Sequence, residues 1–167
     1  MTIAEHFPTA ASRVPRGVAA TVSFTASRKT RKREVIHMPE SEHLSIYIQR
    51  PAAEVYAYVV NPANLPSWAA GLSGSIEQRE GRWFAESPMG EIEVVFAPQN
   101  PYFVLDHDVT LSDGTTFNNP MRVIAHDTGC EVVFTLRSQP GRSQEDHDAD
   151  ARAIQRDLAT LKQLLES

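Results

Sequence analysis

The sequence predicts an α+β domain in which a curved antiparallel sheet of about six to seven strands surrounds a long C-terminal helix, with two short helices after the first strand. Three observations predict it. Segments of alternating hydrophobicity separated by turn residues run from Leu44 to Arg137, and alternation of that kind marks half-buried strands. Two short helical patterns interrupt the series early. At the far end, Ala151, Ile154, Leu158, Leu161 and Leu165 recur at spacings of three and four, forming one continuous apolar helical face.

The first strand is Leu44 to Gln49, with Leu44, Ile46 and Ile48 on one side. Arg50-Pro51 ends it. Pro51 suits the first turn of a helix because its missing N–H has no intrahelical use there, and Val55, Tyr56, Val59 and Val60 give that helix an apolar stripe. Asn61-Pro62 stops it. The second short helix is expected to be capped by Asn64, to carry Pro66 in its first turn, to bury Trp68, Ala69 and Leu72, and to close at Gly71 and Gly74.

Strands Ile76 to Arg79 and Arg82 to Glu86 flank Glu80-Gly81, a two-residue hairpin loop. Pro88-Met89-Gly90 turns into a strand that places Ile92, Val94 and Phe96 on one face. Beyond Pro98 to Pro101, Leu105, His107, Val109 and Leu111 alternate with Asp106, Asp108 and Thr110. A strand over Thr115 to His126 and another over Glu131 to Arg137 complete the series. With Thr128-Gly129 as their loop, Ala125 opposes Val132, Val123 opposes Phe134 and Met121 opposes Leu136. Ser143 and Asp146 match a capping box ahead of the last helix.

Composition bounds the class. A chain of 167 residues with 41% hydrophobic and 22% charged residues is an ordinary globular composition. Cys130 is the sole cysteine, which excludes an intrachain disulfide framework and a cysteine-based zinc cluster. No stretch reaches the ~18 consecutive apolar residues of a membrane span, and no continuous apolar leader opens the chain. A soluble, cytoplasmic protein is the expectation.

Charge divides the chain in two. Residues 1–37 hold seven Lys/Arg against Glu5 and Glu34, which leaves the remainder near -10 out of a net -5. These 37 residues lack a sustained period and read as a flexible basic N-terminal extension, with residues 38–167 as the folded domain. The run Arg28-Lys29-Thr30-Arg31-Lys32-Arg33 could contact RNA, DNA or acidic lipid. A solvated tail, or a start placed ahead of a true beginning at Met38, is the preferred reading; an organelle-targeting segment is a third. The acidic domain itself is a poor nucleic-acid surface.

The order of elements joins Arg50-Pro51-Ala52-Ala53-Glu54-Val55-Tyr56, Asn61-Pro62-Ala63-Asn64-Leu65-Pro66-Ser67-Trp68, Pro88-Met89-Gly90, Val104-Leu105-Asp106-His107 and Asp157-Leu158-Ala159-Thr160-Leu161-Lys162. Together these resemble the SRPBCC superfamily, which includes polyketide cyclases, START-like lipid carriers and Bet v 1-like proteins. The resemblance covers about residues 43–166. It implies a helix-grip fold with an internal apolar cavity, its mouth near the two short helices and the first turn of the long one. A twisted sheet also curves, so a straight helix laid across it leaves concave space.

By alternation, the candidate walls are Trp68, Trp83, Phe96, Leu105, Val109, Phe117, Met121, Val123 and Phe134, residue types that at such positions are more often plain core. Asn119 and His147 are polar candidates, His147 standing where relatives carry a larger apolar side chain. His107 is the one histidine on an apolar strand face and the candidate acid or base, against a core histidine bonded to backbone. Asp106-His107-Asp108 is no metal cluster, because alternate strand residues point apart. Asp146-His147-Asp148 diverges on a helix for a related reason. Gly71-Leu72-Ser73-Gly74-Ser75 is no nucleophile elbow, and Cys130 has no evident activating base. No cofactor or metal motif is present.

Three functions follow in order of preference. The first is binding, with transport as its extension, of a small hydrophobic or amphipathic ligand such as a lipid, polyketide or quinone-like molecule. The second is a polyketide cyclase or dehydratase using His107, assisted by Tyr56 or Asn119. The third is a protein-interaction module whose cavity is filled by its own side chains.

Overall fold

The computed structural model describes residues 41–72, 75–139 and 141–167. The expected basic extension over 1–37 lies outside them, as does Gly74. The chain order is strand β1 (Ser41–Ile48), helix α1 (Ala52–Val59), a 3-10 helix (Pro62–Ser67), strands β2 (Ile76–Arg79), β3 (Arg82–Ser87), β4 (Gly90–Phe96), β5 (His107–Leu111), β6 (Thr116–Asn119), β7 (Met121–His126) and β8 (Gly129–Arg137), and helix α2 (Gln144–Glu166). This is the expected α+β helix-grip architecture.

The strands number eight where six to seven were expected, and they form two antiparallel sheets, β1-β8-β7 and β2-β3-β4-β5-β6. The expected strand over Thr115 to His126 is divided at Pro120 into β6 and β7, because proline has no N–H for a ladder. Across that break the sheets stay joined. Leu105 N donates to Met121 O at 2.9 Å and Val123 N to Phe103 O at 3.1 Å, with a bridge between Val104 and Arg122. The regular part of β5 accordingly begins at His107 rather than Leu105.

Two further details differ from the sequence reading. The β7–β8 hairpin turns at Asp127-Thr128, pairing Ala125 with Cys130, Val123 with Val132 and Met121 with Phe134. The register is thus two residues away from the expected one, and since two is the side-chain period the inward face is unchanged. Gly129, paired with His126 at the hairpin's end, also lies close against β1, where a Cβ would collide with the Ile48 carbonyl and the Tyr47 hydroxyl. The second short helix is a 3-10 helix beginning at Pro62, capped by Asn61, whose side chain accepts from Ala63 N. Asn64 instead donates from its side chain to Tyr58 O at 2.8 Å.

Other local signals act as their chemistry directs. Glu80 and Gly81 both adopt positive φ, 51° and 81°, the geometry that a two-residue hairpin between paired Arg79 and Arg82 requires. Ser143 and Asp146 form a reciprocal capping box on α2.

The core combines Leu44 and Ile48 of β1, Val55 and Val59 of α1, Leu105, Met121, Val132, and Leu158 and Leu161 of α2. On the outer face of the larger sheet, Arg79 pairs with Glu91 and Arg82 with Glu93, and both guanidinium groups lie over Phe84.

Candidate functional site

Between the larger sheet and the middle turns of α2 lies a cavity of about 420 Å³, within the range of small-molecule sites. Its sheet wall follows from register. Ile92 and Val94 of β4 stand opposite Leu111 and Val109 of β5, and His107 and Val109 stand opposite Asn119 and Phe117 of β6, so these residues share one concave face. Met121 and Phe134 continue it onto the smaller sheet. Trp68 and Leu65 close one side, and Ala153, Ile154, Asp157 and Leu158 of α2 form the roof.

Of the residues singled out from sequence, the structure brings Trp68, His107, Val109, Phe117, Asn119, Met121 and Phe134 to this one cavity. The cavity lining does not include Trp83, Phe96, Leu105, Val123 or His147. Trp83 lies one strand outward from Val94, opposite Gln78 on edge strand β2. Phe96 packs its ring against His107 at 4.8 Å. Leu105 and Val123 are core residues. His147 is drawn to β1, where its Nε2 meets Glu42 at 3.2 Å. Tyr56, the other proposed assistant, is occupied elsewhere: its hydroxyl accepts from Asn100 N at 2.9 Å.

His107 is the best-defined polar group on the wall. Its Nδ1 lies 3.1 Å from Leu105 O; a carbonyl oxygen only accepts, so this nitrogen carries the proton. Nε2 is then the acceptor nitrogen, and no partner takes it among the described residues. Burial pulls the imidazole below its usual range, against the Leu105 bond and the charges of Asp106 and Asp108. The ring is half-buried, as a group lining a partly open concavity is. The neighbouring aspartates go elsewhere: Asp106 binds Arg122 and Met121 N, and Asp108 accepts from Asn118 at 2.8 Å.

Three features escaped the sequence reading. Asp157 lines the roof and accepts from Ala70 N at 3.0 Å; burial raises its carboxyl above the usual range, opposed by that bond and by Arg156. At the edge of the lining, Arg142 pairs with Asp150 at 3.1 Å. Asp150, Ala153 and Asp157 follow helical spacing beside the apolar stripe, the signal by which they were legible. The third is Trp68 Nε1, buried with no hydrogen-bond partner among the described residues, an unusual state for a buried donor.

No family model matches the chain, and no curated protein matches it. Solved structures do. A putative uncharacterized protein from Bacillus thuringiensis is 14% identical with a TM-score of 0.62, the match covering 77% of this chain and 100% of that one. Ara h 8.0201 is 14% identical with a TM-score of 0.58, covering 78% and 100%. The di-domain ARO/CYC protein BexL is 16% identical with a TM-score of 0.62, covering 76% of this chain and 46% of BexL. These likenesses show the fold alone, a helix-grip domain shared with these structures. Among the described residues, no helix is long and apolar enough to cross a membrane.

Proposed function

We propose that the domain binds, and by extension carries, a small hydrophobic or amphipathic molecule in the cavity beneath α2. The supporting observation is an apolar concave wall from Ile92 to Phe134 that, beneath the helix roof, borders a partly open cavity of about 420 Å³. The reading of a module filled by its own side chains finds no support in a space of that size.

Gentle purification followed by native mass spectrometry is the test. A guest mass removable by solvent extraction, and binding of anilinonaphthalene sulfonate that Ala153→Phe abolishes by filling the roof, are the expected results. Unliganded protein whose dye binding equals that of Ala153→Phe would overturn the proposal.

A second reading is favoured by one observation, the neutral His107 with its acceptor nitrogen unengaged on the cavity wall. It is a cyclase or dehydratase in which His107 removes a proton from a guest held in place by the walls, since positioning itself lowers barriers. Asn119 is the neighbouring polar group. Loss of turnover in His107→Gln with guest retention preserved supports this reading; unchanged turnover removes it.

A further inference from the structure

The polarity of the cavity wall narrows the guest. On the concave face, His107 and Asn119 are directly opposed across β5 and β6, which sets their Cβ atoms roughly 5 Å apart. A single oxygen can reach both. Around them stand Val94, Val109, Phe117, Met121 and Phe134, while the Asn118 amide beside them is taken up by Asp108. The pair is therefore the polar spot on this part of the sheet wall, held by two strands of one sheet.

The two residues have different hydrogen-bonding characters. The Leu105 carbonyl fixes the His107 proton on Nδ1, so a neutral ring offers the cavity only a lone pair at Nε2. The ring cannot turn over freely, because Phe96 lies against it at 4.8 Å and Phe134 at 6.2 Å. Asn119 carries both a donor and an acceptor, and its side chain has no partner among the described residues. A guest oxygen that only accepts, such as an ether or ketone, leaves Nε2 desolvated and unpaired. A hydroxyl satisfies both residues.

Resting on the cavity-binding reading above, the geometry points to a guest that is an apolar ring or chain bearing a hydroxyl group, phenolic or alcoholic, which donates to His107 Nε2 and accepts from the Asn119 amide. Unpaired buried polar groups make this discrimination larger than a methyl group's worth of contact.

Isothermal titration of beta-naphthol, its methyl ether and naphthalene tests the inference. The naphthol is expected to bind about tenfold more tightly than the ether, the effect of one charge-free hydrogen bond and its avoided desolvation penalty. In His107→Phe, which keeps a planar ring against Phe96, that ratio is expected to fall to within about twofold while naphthalene still binds. Equal binding of naphthol and ether by the unaltered protein overturns the inference and leaves the cavity reading standing. So does a preference that survives unchanged in a His107→Phe protein still able to bind naphthalene. Failure of all three compounds to bind the unaltered protein overturns both.

Discussion

The C-terminal end and the middle of the long helix rest on different ground. Near its C-terminus α2 is fastened to the end of β1: Glu166 accepts from Gln49 N at 2.6 Å, Leu165 O accepts from Arg50 at 2.7 Å, and Lys162 donates to Tyr47 O at 2.7 Å. Leu161 is fully buried there, in one core with Ile48, Val55, Val59 and Val132. In its middle turns Ala153, Ile154 and Asp157 face a cavity instead. The same amphipathic stripe thus seals one half of the domain and spans the other. A helix clamped at one end needs no close packing along its middle, which is how a stable domain keeps an interior space.

The comparison is broken most strongly by truncating the stripe in each of these two parts. Leu161→Ala is expected to cost about 2–5 kcal/mol, as deletions in closed cores do. Ile154→Ala, at a partly buried position already bordering space, should cost about 1 kcal/mol. Urea denaturation of both variants measures the contrast, and equal losses would mean that the two halves are packed alike.

A somewhat smaller effect is expected at the turn beneath the clamp. Gly129→Ala places a methyl group against the Ile48 carbonyl, a backbone atom that cannot swing aside. A loss of about 1–3 kcal/mol is expected, as for overpacking elsewhere, with the cavity unaffected. Retained dye affinity alongside a lowered melting temperature would separate the halves functionally.

Asn100→Ala acts on the loop that leads into the sheet junction. The Asn100 side chain accepts from Tyr102 N and Val104 N, each at 3.1 Å, and donates to Pro98 O and Val104 O. These bonds hold Phe103 at a positive φ of 55° against Tyr56. Because water can replace some partners, about 1–2 kcal/mol is expected. Proteolysis within 98–104 should rise before the global melt; an unchanged cleavage rate would show that Phe103 packing alone maintains the loop.

Much of this was legible beforehand, for local reasons. Alternation placed His107, Val109, Phe117, Asn119, Met121 and Phe134 on one face, and that face lines the cavity. The β7–β8 register error did not disturb it, since two residues is one full side-chain period. Where sequence fell short, the missing information was tertiary. Trp83 and Phe96 share the inward parity, and only the cavity's extent across the sheet separates them from Val94. His147 is set by a contact with Glu42, more than a hundred residues distant in the chain. Pro120 was visible, but its effect of dividing one strand between two sheets depends on partners it acquires only on folding.

The smallest effect concerns the seam between the sheets. Asp106 accepts from Met121 N at 2.9 Å and pairs with Arg122 at the crossing of the β5 lead-in and β7. Burial opposes its charge, but the bonds to Arg122 and Met121 N–H prevail, with the Arg122 charge adding to them, and the carboxyl is held below its usual range. The folded state therefore binds this proton less readily than the unfolded chain. Its stabilising contribution is present in full above the unfolded carboxylate value and is lost as pH falls through the lower folded one. Since the group is partly exposed and screened, the predicted signature is a shallow loss in melting temperature on acidification through that window. Asp106→Asn should flatten this slope while lowering stability at neutral pH. Parallel pH profiles for the two proteins would show that the seam owes nothing to this charge and that backbone pairing alone joins the closed half to the open one.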